Sequence, residues 1–346
     1  MIIAFFVNDM EREFAGYTTT VLAYEAHSRG HGVCYVTPDD FLLTADDRLH
    51  VHGRFLPKTK FKSRDDFFKA LQGLKTAPLD MAEVDVLMLR SDPSLDAPTM
   101  PWAAEVGILF GREAAKRGVI VVNDPDSLSK AINKLYFQSF PVEARAETII
   151  SRNEDDIKAF ARAHKNEIIL KPLQGSGGSG VFKLDAKAKS NINQMIEAIG
   201  RDGYIIAQAY VPAAKKGDIR LFLMNGVPLQ IDGKYAALRR VASKDDIRSN
   251  IHAGGTAEAV EIGETELRVA EIIRPKLIAD GMFLVGIDIV GDKILEVNVF
   301  SPGNLGSCSR LAGVDFAGPI VNSLERKAEI AKDYAQTFDN RHLAVL

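Results

Sequence analysis

LKPLQGSGGSGVF, residues 170–182, sets a lysine at the end of one apolar run and a second apolar run after a loop of four glycines and two serines. Glycines let the backbone curl until several N–H groups converge on a phosphate, and a nearby lysine supplies a positive point charge. The spacing is not the Walker pattern, which needs Gly-Lys-Ser/Thr after the loop, nor the dinucleotide fingerprint, which opens a helix. Here the glycines lie between two strand-like segments, EIIL at 167–170 and VFKL at 181–184. Such a loop suits a nucleoside triphosphate, but a plain flexible turn has the same composition, so the rest of the chain has to decide.

Downstream, GIDIVGDKILEVNVFSP at 286–302 reads as two strands joined by a Gly291–Asp292 turn. Glu296 and Asn298 are two apart and share a sheet face, where Asp288 can meet them. Two carboxylates and an amide oxygen among apolar strand residues are the hard ligands that Mg²⁺ takes when it also binds phosphates. The bland alternative makes Asp288 a turn residue and Glu296 a solvent-facing one. Between the two features lie GDIR at 217–220 and ALRRVASKDDIRSN at 237–250, whose arginines suit bidentate capture of phosphate or carboxylate. Taken singly, each is an ordinary surface arginine; aligned with the loop and the hairpin, they form a clamp for a triphosphate and an acidic substrate.

Upstream, IIAFFV at 2–7, a helical stretch at 17–30, VCYVT at 33–37, DVLMLR at 85–90, a helix around 102–117 and VIVVN at 119–123 set a βαβ rhythm, which predicts parallel strands with helical crossovers. After Asn123 a Pro–Asp turn and an amphipathic helix begin a linker. YIIAQAYV at 204–211 and IRLFLM at 219–224 read as further strands, with a helix near 188–200. The 346 residues predict two or three subdomains, and 46% hydrophobic with 26% charged residues excludes a disordered chain. A net charge of −3 with scattered basic residues argues against nucleic acid as the main partner. Two cysteines, Cys34 and Cys308, without ligand spacing suggest neither a zinc site nor a disulfide framework and fit a reducing cytoplasm. No run reaches membrane-spanning length, and the apolar opening lacks the basic segment of a signal peptide.

The order of motifs resembles the bacterial glutathione synthetases of the ATP-grasp superfamily. NKLYF with Lys134, ILKPLQGSGGSG with Lys171, AQAYVP, GDIR, RSNIHAGG and DIVGDKILEVNVFSP carry the likeness, together with LRSDPSLD at 89–96. It runs from the first strand to about residue 302. The resemblance implies an α/β protein: an ATP-grasp fold behind an N-terminal doubly wound parallel-sheet domain. Its parts are residues 1–122, a central lobe at 123–202 with the glycine-rich loop, and a C-terminal lobe at 203–346 with the metal site.

It further implies that Lys134 and Lys171 contact the phosphates of ATP, with Gly175, Ser176, Gly177 and Gly178 folding over them. Gln208, Ala209, Tyr210 and Val211 would hold adenine, and Asp218 the ribose. Asp288, Glu296 and Asn298 would ligate two Mg²⁺ ions, with Mn²⁺ as a substitute. Arg220, Arg240, Arg248 and Asn250 would face phosphate and acyl group in catalysis, while Arg90, Asp92, Gly254 and Gly255 would belong to the substrate wall. The implied reaction activates a carboxylate as its acyl phosphate and lets an amine displace phosphate, with small molecules as partners and a homo-oligomer as the family expectation. Acyl phosphates hydrolyse, so the glycine loop and the 241–255 segment are the candidate lids.

Past Pro302 the pattern departs: the family continues with an Ile-Arg-Glu run, whereas this chain reads GNLGSCSRLAGVDFAG. A short insertion is also expected near IDGKY at 231–235. Both touch the acceptor end more than ATP chemistry. The readings left open are therefore glycine joined to γ-glutamylcysteine, another amine joined to a γ-glutamyl or other acidic peptide, and a non-catalytic ATP-binding protein. Cys308 reads as a small packing residue rather than a nucleophile, since the sequence places no histidine partner. His252 reads as a loop histidine, and the helix with Trp102 and Phe110 as packing.

Overall fold

A computed structural model of the chain describes residues 1–175, 180–185, 189–241, 255–334 and 337–346. The first layer holds β1 (Ile2–Phe6), β2 (Gly32–Val36), β3 (Phe41–Leu43), β4 (Leu49–Phe55), β5 (Ala77–Asp80), β6 (Val86–Leu89) and β7 (Ile120–Val122). Its parallel centre runs β2-β1-β6-β7, as the βαβ rhythm predicts. These strands are continuous apolar runs buried on both faces, the usual condition of a parallel sheet. The β3–β5 excursion is antiparallel and leans on β2 through β4, an addition the sequence reading left unassigned.

A second, antiparallel sheet contains β8 (Thr148–Ser151), β9 (Ile168–Pro172), β10 (Phe182–Leu184) and β11 (Ile205–Ala209), in the order β10-β9-β11-β8. Alternation sorts its two faces. Ile168, Leu170, Ile205 and Ala207 join Ile157 and Ala161 of one helix and Ile196 and Ile199 of another in a buried cluster. Lys171, Ile206 and Gln208 point the other way, into a cleft. β11, just past the boundary expected at 202/203, pairs with both β8 and β9, and the chain leaves this sheet across residues 210–217.

The third sheet takes in β12 (Asp218–Met224), β13 (Val227–Pro228), β16 (Ala237–Val241), β17 (Thr256–Glu258), β18 (Leu284–Val290) and β19 (Lys293–Asn298), ordered β17-β16-β12-β18-β19 with β13 beside β12. Two short strands, β14 (Gln230–Ile231) and β15 (Lys234–Tyr235), pair alone where the insertion was expected. Asp232 and Gly233 both have positive φ there, the conformation a two-residue hairpin turn asks for.

The last helices do not stay with the third sheet. Ile320, Val321 and Leu324 of the Ala317–Asp333 helix share a buried cluster with Val21, Leu22 and Ala26 of the Thr18–Ser28 helix. Asn340 covers the edge of β7, accepting from Val121 N–H at 2.7 Å and donating to Val121 C=O at 2.9 Å. The expected linker helix is also shorter than its pattern: Asp124 caps a helix over Pro125–Lys130, and Asn133 then starts a separate 3-10 turn over Lys134–Ser139. Among the described residues no helix is long and apolar enough to cross a membrane.

Asn123 ties the first layer to the third. Its buried amide accepts from Leu284 N–H at 2.9 Å and donates to Leu284 C=O at 3.1 Å and to Val299 C=O. Replacing it by alanine orphans three buried backbone groups at once. Asn123→Ala should lower stability by about 2–4 kcal/mol, read as a lower midpoint of urea unfolding.

Candidate active site

The third sheet brings a set of charges together through its register. Asp218 stands opposite Arg240 across β12 and β16, and Arg220 stands opposite Asp288 across β12 and β18. All four side chains are buried. Arg240 grips Asp218 through Nε at 2.9 Å and also reaches Asp288 Oδ2 through Nη2 at 2.6 Å. Arg220 makes a forked pair with Asp288, with Nη2 to Oδ2 at 2.9 Å and Nε to Oδ1. Burial alone would raise the Asp288 pKa; Arg220 and Arg240 override it and hold the carboxyl below its ordinary range. Burial alone would likewise lower Arg240, and Asp288 and Asp218 hold it above its ordinary value. Gly286 makes room for the fork, since a Cβ there would lie 2.9 Å from Pro302 Cβ and 3.1 Å from Arg220 Cδ.

Glu296 is the cross-strand partner of Asp288, and Asn298 follows on the same face opposite Gly286. Asn298 donates through Nδ2 to Gly286 C=O at 3.2 Å and to Asp288 Oδ2 at 3.4 Å, which leaves its Oδ1 as a free acceptor among the described residues. Glu296 makes no hydrogen bond or ion pair among the described residues and lines the cleft. Two carboxylates and one amide oxygen at adjacent positions fit a hard divalent cation, although Asp288 already serves two arginines.

Across the cleft stand the lysines. Lys171 ends β9; burial lowers its pKa to about 8, Glu296 pulls it up and Lys134 pushes it down. Its Nζ donates to Gln208 Oε1 at 3.2 Å. Lys134 is lowered by burial, against the pull of Glu296 and Asp92, and its Nζ bonds to Gly175 C=O. Both cations, Gly175, Gln208, Asp92, Glu296 and Asn298 line one cleft of about 950 Å³, measured out to its open mouth. Phe137, Ile206, Leu295 and Val297 give it apolar walls that motif reading missed; the period-2 alternation of β11 signals Ile206 beside Gln208, whereas Phe137 comes from the 3-10 turn over Lys134–Ser139. Two basic groups facing carboxylates across an apolar slot are arranged to hold a metal-bound polyphosphate.

Other expected residues make contacts of their own. Ala209 and Tyr210, which follow Gln208, donate their N–H groups to Glu147 C=O at 2.8 Å and Glu167 C=O at 3.1 Å. Gln208 turns its amide to Lys171 and Thr148. Asp218, expected at a ribose, is buried against Arg240. Asp92 lines the cleft, yet its Oδ1 is taken by Ser94 as a helix cap. Arg90 is buried behind the wall, donating to Thr19 Oγ1 at 3.3 Å and Pro302 C=O at 3.1 Å. Gly255 precedes β17, away from the cleft. Ser176, Gly177, Gly178, Arg248, Asn250, His252 and Gly254 lie outside the described residues, as does most of the 241–255 segment. Cys308 is buried on the Leu305–Ala312 helix, and burial pushes its thiol to about 12, which suits packing and not nucleophilic attack.

This arrangement defines an ATP-grasp ligase. The fold is shared with the solved D-cycloserine synthetase DcsG, with a TM-score of 0.62 at 16% identity over 94% of this chain and 100% of that one. A Chryseobacterium gregarium RiPP-associated ATP-grasp ligase shares it with a TM-score of 0.59 at 12% identity over 99% of each chain. Two family models match in tandem: the prokaryotic glutathione synthetase N-terminal domain over residues 1–129 and its ATP-grasp domain over residues 133–313. Glutathione synthetases of Rhodopseudomonas palustris and Mesorhizobium japonicum are 33% and 34% identical to it, each across 90% of this chain and 94% of the relative. The chain belongs to the prokaryotic glutathione synthetase family.

Removing one member of the buried quartet unbalances its charges. Arg240→Met should cost about 3–5 kcal/mol by taking one guanidinium from both Asp218 and Asp288, and adding Asp218→Asn should restore part of it. Equal unfolding midpoints for wild type and Arg240→Met would disprove the coupling.

Proposed function

We propose that the protein joins glycine to γ-glutamylcysteine with ATP, forming glutathione, ADP and phosphate. The observation that carries this is the match to both domains of the family with the basic and acidic walls of the cleft intact. A carboxylate is a poor electrophile at neutral pH, so transfer of the γ-phosphoryl group to it comes first, and the amine then displaces phosphate from the acyl phosphate. Lys134 and Lys171 are the groups for the ATP phosphates. Asp288, Glu296 and the free Oδ1 of Asn298 would hold Mg²⁺, two ions in this reading, with Mn²⁺ able to substitute. The metal supplies charge neutralisation on the transferring phosphoryl group.

Arg220 and Arg240 hold guanidinium charge beside that metal face, where oxygen of the reacting carboxylate gathers negative charge. Arg248, Asn250 and the glycine-loop residues retain the roles the resemblance implies, and water exclusion falls to the same two segments. Adenine recognition rests on the cleft's apolar wall and the stretch leading from Gln208. A cytoplasmic, homo-oligomeric enzyme with small-molecule substrates accords with this activity.

One feature favours a second reading, ligation of an amine other than glycine. Where the family has an Ile-Arg-Glu run, Asn304 takes φ +80° and opens the Leu305–Ala312 helix with small residues. Phosphate release with Mg-ATP and γ-glutamylcysteine, with and without glycine and beside other small amines, separates the two. Glycine-dependent release with glutathione as product supports the first; release only with another amine supports the second, and silence with every acid and amine supports a non-catalytic binder. In the active enzyme Glu296→Gln should reduce turnover by at least ~10²-fold, whereas Cys308→Ser should leave it nearly unchanged. Wild-type turnover in Glu296→Gln would remove the metal assignment.

A further inference from the structure

Lys171 owes its place in the cleft to more than its own strand. It ends a polar row that crosses one face of the second sheet: Thr148 on the edge strand β8, Gln208 directly opposite on β11, and Lys171 one diagonal step further on β9. Their neighbours on this face across the three strands, Ile150, Ile206 and Ile169, are isoleucines. Three hydrogen bonds run along the row in one direction. Lys171 Nζ donates to Gln208 Oε1 at 3.2 Å, Gln208 Nε2 donates to Thr148 Oγ1 at 3.2 Å, and Thr148 Oγ1 donates to Ala146 C=O at 2.8 Å.

The chemistry of the two end groups fixes the amide between them. An ammonium can only donate, so Oε1 of Gln208 has to face Lys171. A hydroxyl has one proton, and Thr148 gives its own to Ala146 C=O, so it can only accept from Nε2. Gln208 is 3% exposed, and a buried amide group left without its partner is costly. Both ends therefore favour the same rotamer, and rotating the amide would set two donors face to face at Lys171.

We propose that Thr148 is a positioning residue for nucleotide binding, which acts through the Gln208 amide to hold the Lys171 ammonium toward the phosphates. The proposal rests on the reading of Lys171 as a group for the ATP phosphates. Lysine carries its charge on a flexible four-carbon stem and needs a fixed acceptor to be held in one place. Here burial and the nearby Lys134 both disfavour its ammonium, with Glu296 pulling the other way. Gln208 Oε1 takes one of the three ammonium protons and leaves two for phosphate oxygens. Thr148 keeps Oε1 where it is. Without that hydroxyl, Nε2 is buried and unpaired, the amide turns to find another partner, and Lys171 loses its acceptor.

The test measures dissociation constants of Mg-ATP, and of adenosine by competition, for wild type, Thr148→Val, Thr148→Ser, Lys171→Met and the double variant Thr148→Val with Lys171→Met. Thr148→Val should weaken ATP by roughly 5- to 10-fold and change adenosine, which has no phosphates, by less than about 2-fold. Thr148→Ser keeps the hydroxyl and should bind both as wild type does. In the Lys171→Met background, adding Thr148→Val should cost ATP binding nothing further, because the group it positions is gone. Equal weakening of ATP and adenosine would put Thr148 at the base or in general stability, and losses that multiply in the double variant would make it independent of Lys171; either overturns the proposal. If thermal melting shows that Thr148→Val does not fold, Thr148→Ala carries the same comparison. Wild-type ATP affinity in Lys171→Met removes the phosphate assignment and the proposal with it, whereas a weakened Lys171→Met beside an unaffected Thr148→Val removes the positioning role alone.

Discussion

Two aspartates and two arginines buried in one β-sheet impose a constraint that the rest of the ligase has to respect. Arg240 and Arg220 stand opposite Asp218 and Asp288 and offset their dehydration, and those pairs exist only in the observed register of β16, β12 and β18. A slip by one residue would turn every side chain of a strand to the other face and strand four charges. Well-packed apolar residues in the same positions would commonly be as stable or more so. The quartet is therefore not explained by stability alone, and it holds its two guanidiniums rigidly in place.

The same sheet explains the polarity of the cleft. β19 presents Glu296 and Asn298 on the face next to Asp288, while β9 brings Lys171 from the facing sheet. Lys171 and Lys134 repel one another and are both disfavoured by burial, and Glu296 offsets only part of this. A polyphosphate with its metal supplies what each wall lacks: negative charge for the lysines and positive charge for the carboxylates. The energy of relieving both walls becomes available for binding.

Much of this was legible because it depends on local rules. Lysine before a glycine loop, a Gly-Asp turn between two apolar runs, and alternation along YIIAQAYV and KILEVNV fix which side chains meet at the cleft. What escaped depends on distant parts of the chain. The β3–β5 excursion has weak alternation, and His50, His52 and Pro78 within it give no clear strand signal. β11 belongs to the central sheet because Ile206 pairs with both Ile150 and Lys171, a fact absent from its own sequence. The helix expected to run on past Lys130 stops because Asn133 caps the next turn, whose Lys134 N–H bonds to Leu173 C=O.

Arg90 is buried where three segments meet: the start of the Thr18–Ser28 helix, the end of β6 and the loop after β19. Leu305 N–H donates to Thr18 Oγ1 at 3.3 Å, so the helix that replaces the Ile-Arg-Glu run starts directly on the first layer. The departure in sequence thus begins on a loop held from both sides, with Arg90 on Pro302 and Arg220 on Gly303. A change of residues at 303–308 would therefore be felt at the first layer and at the buried arginines together.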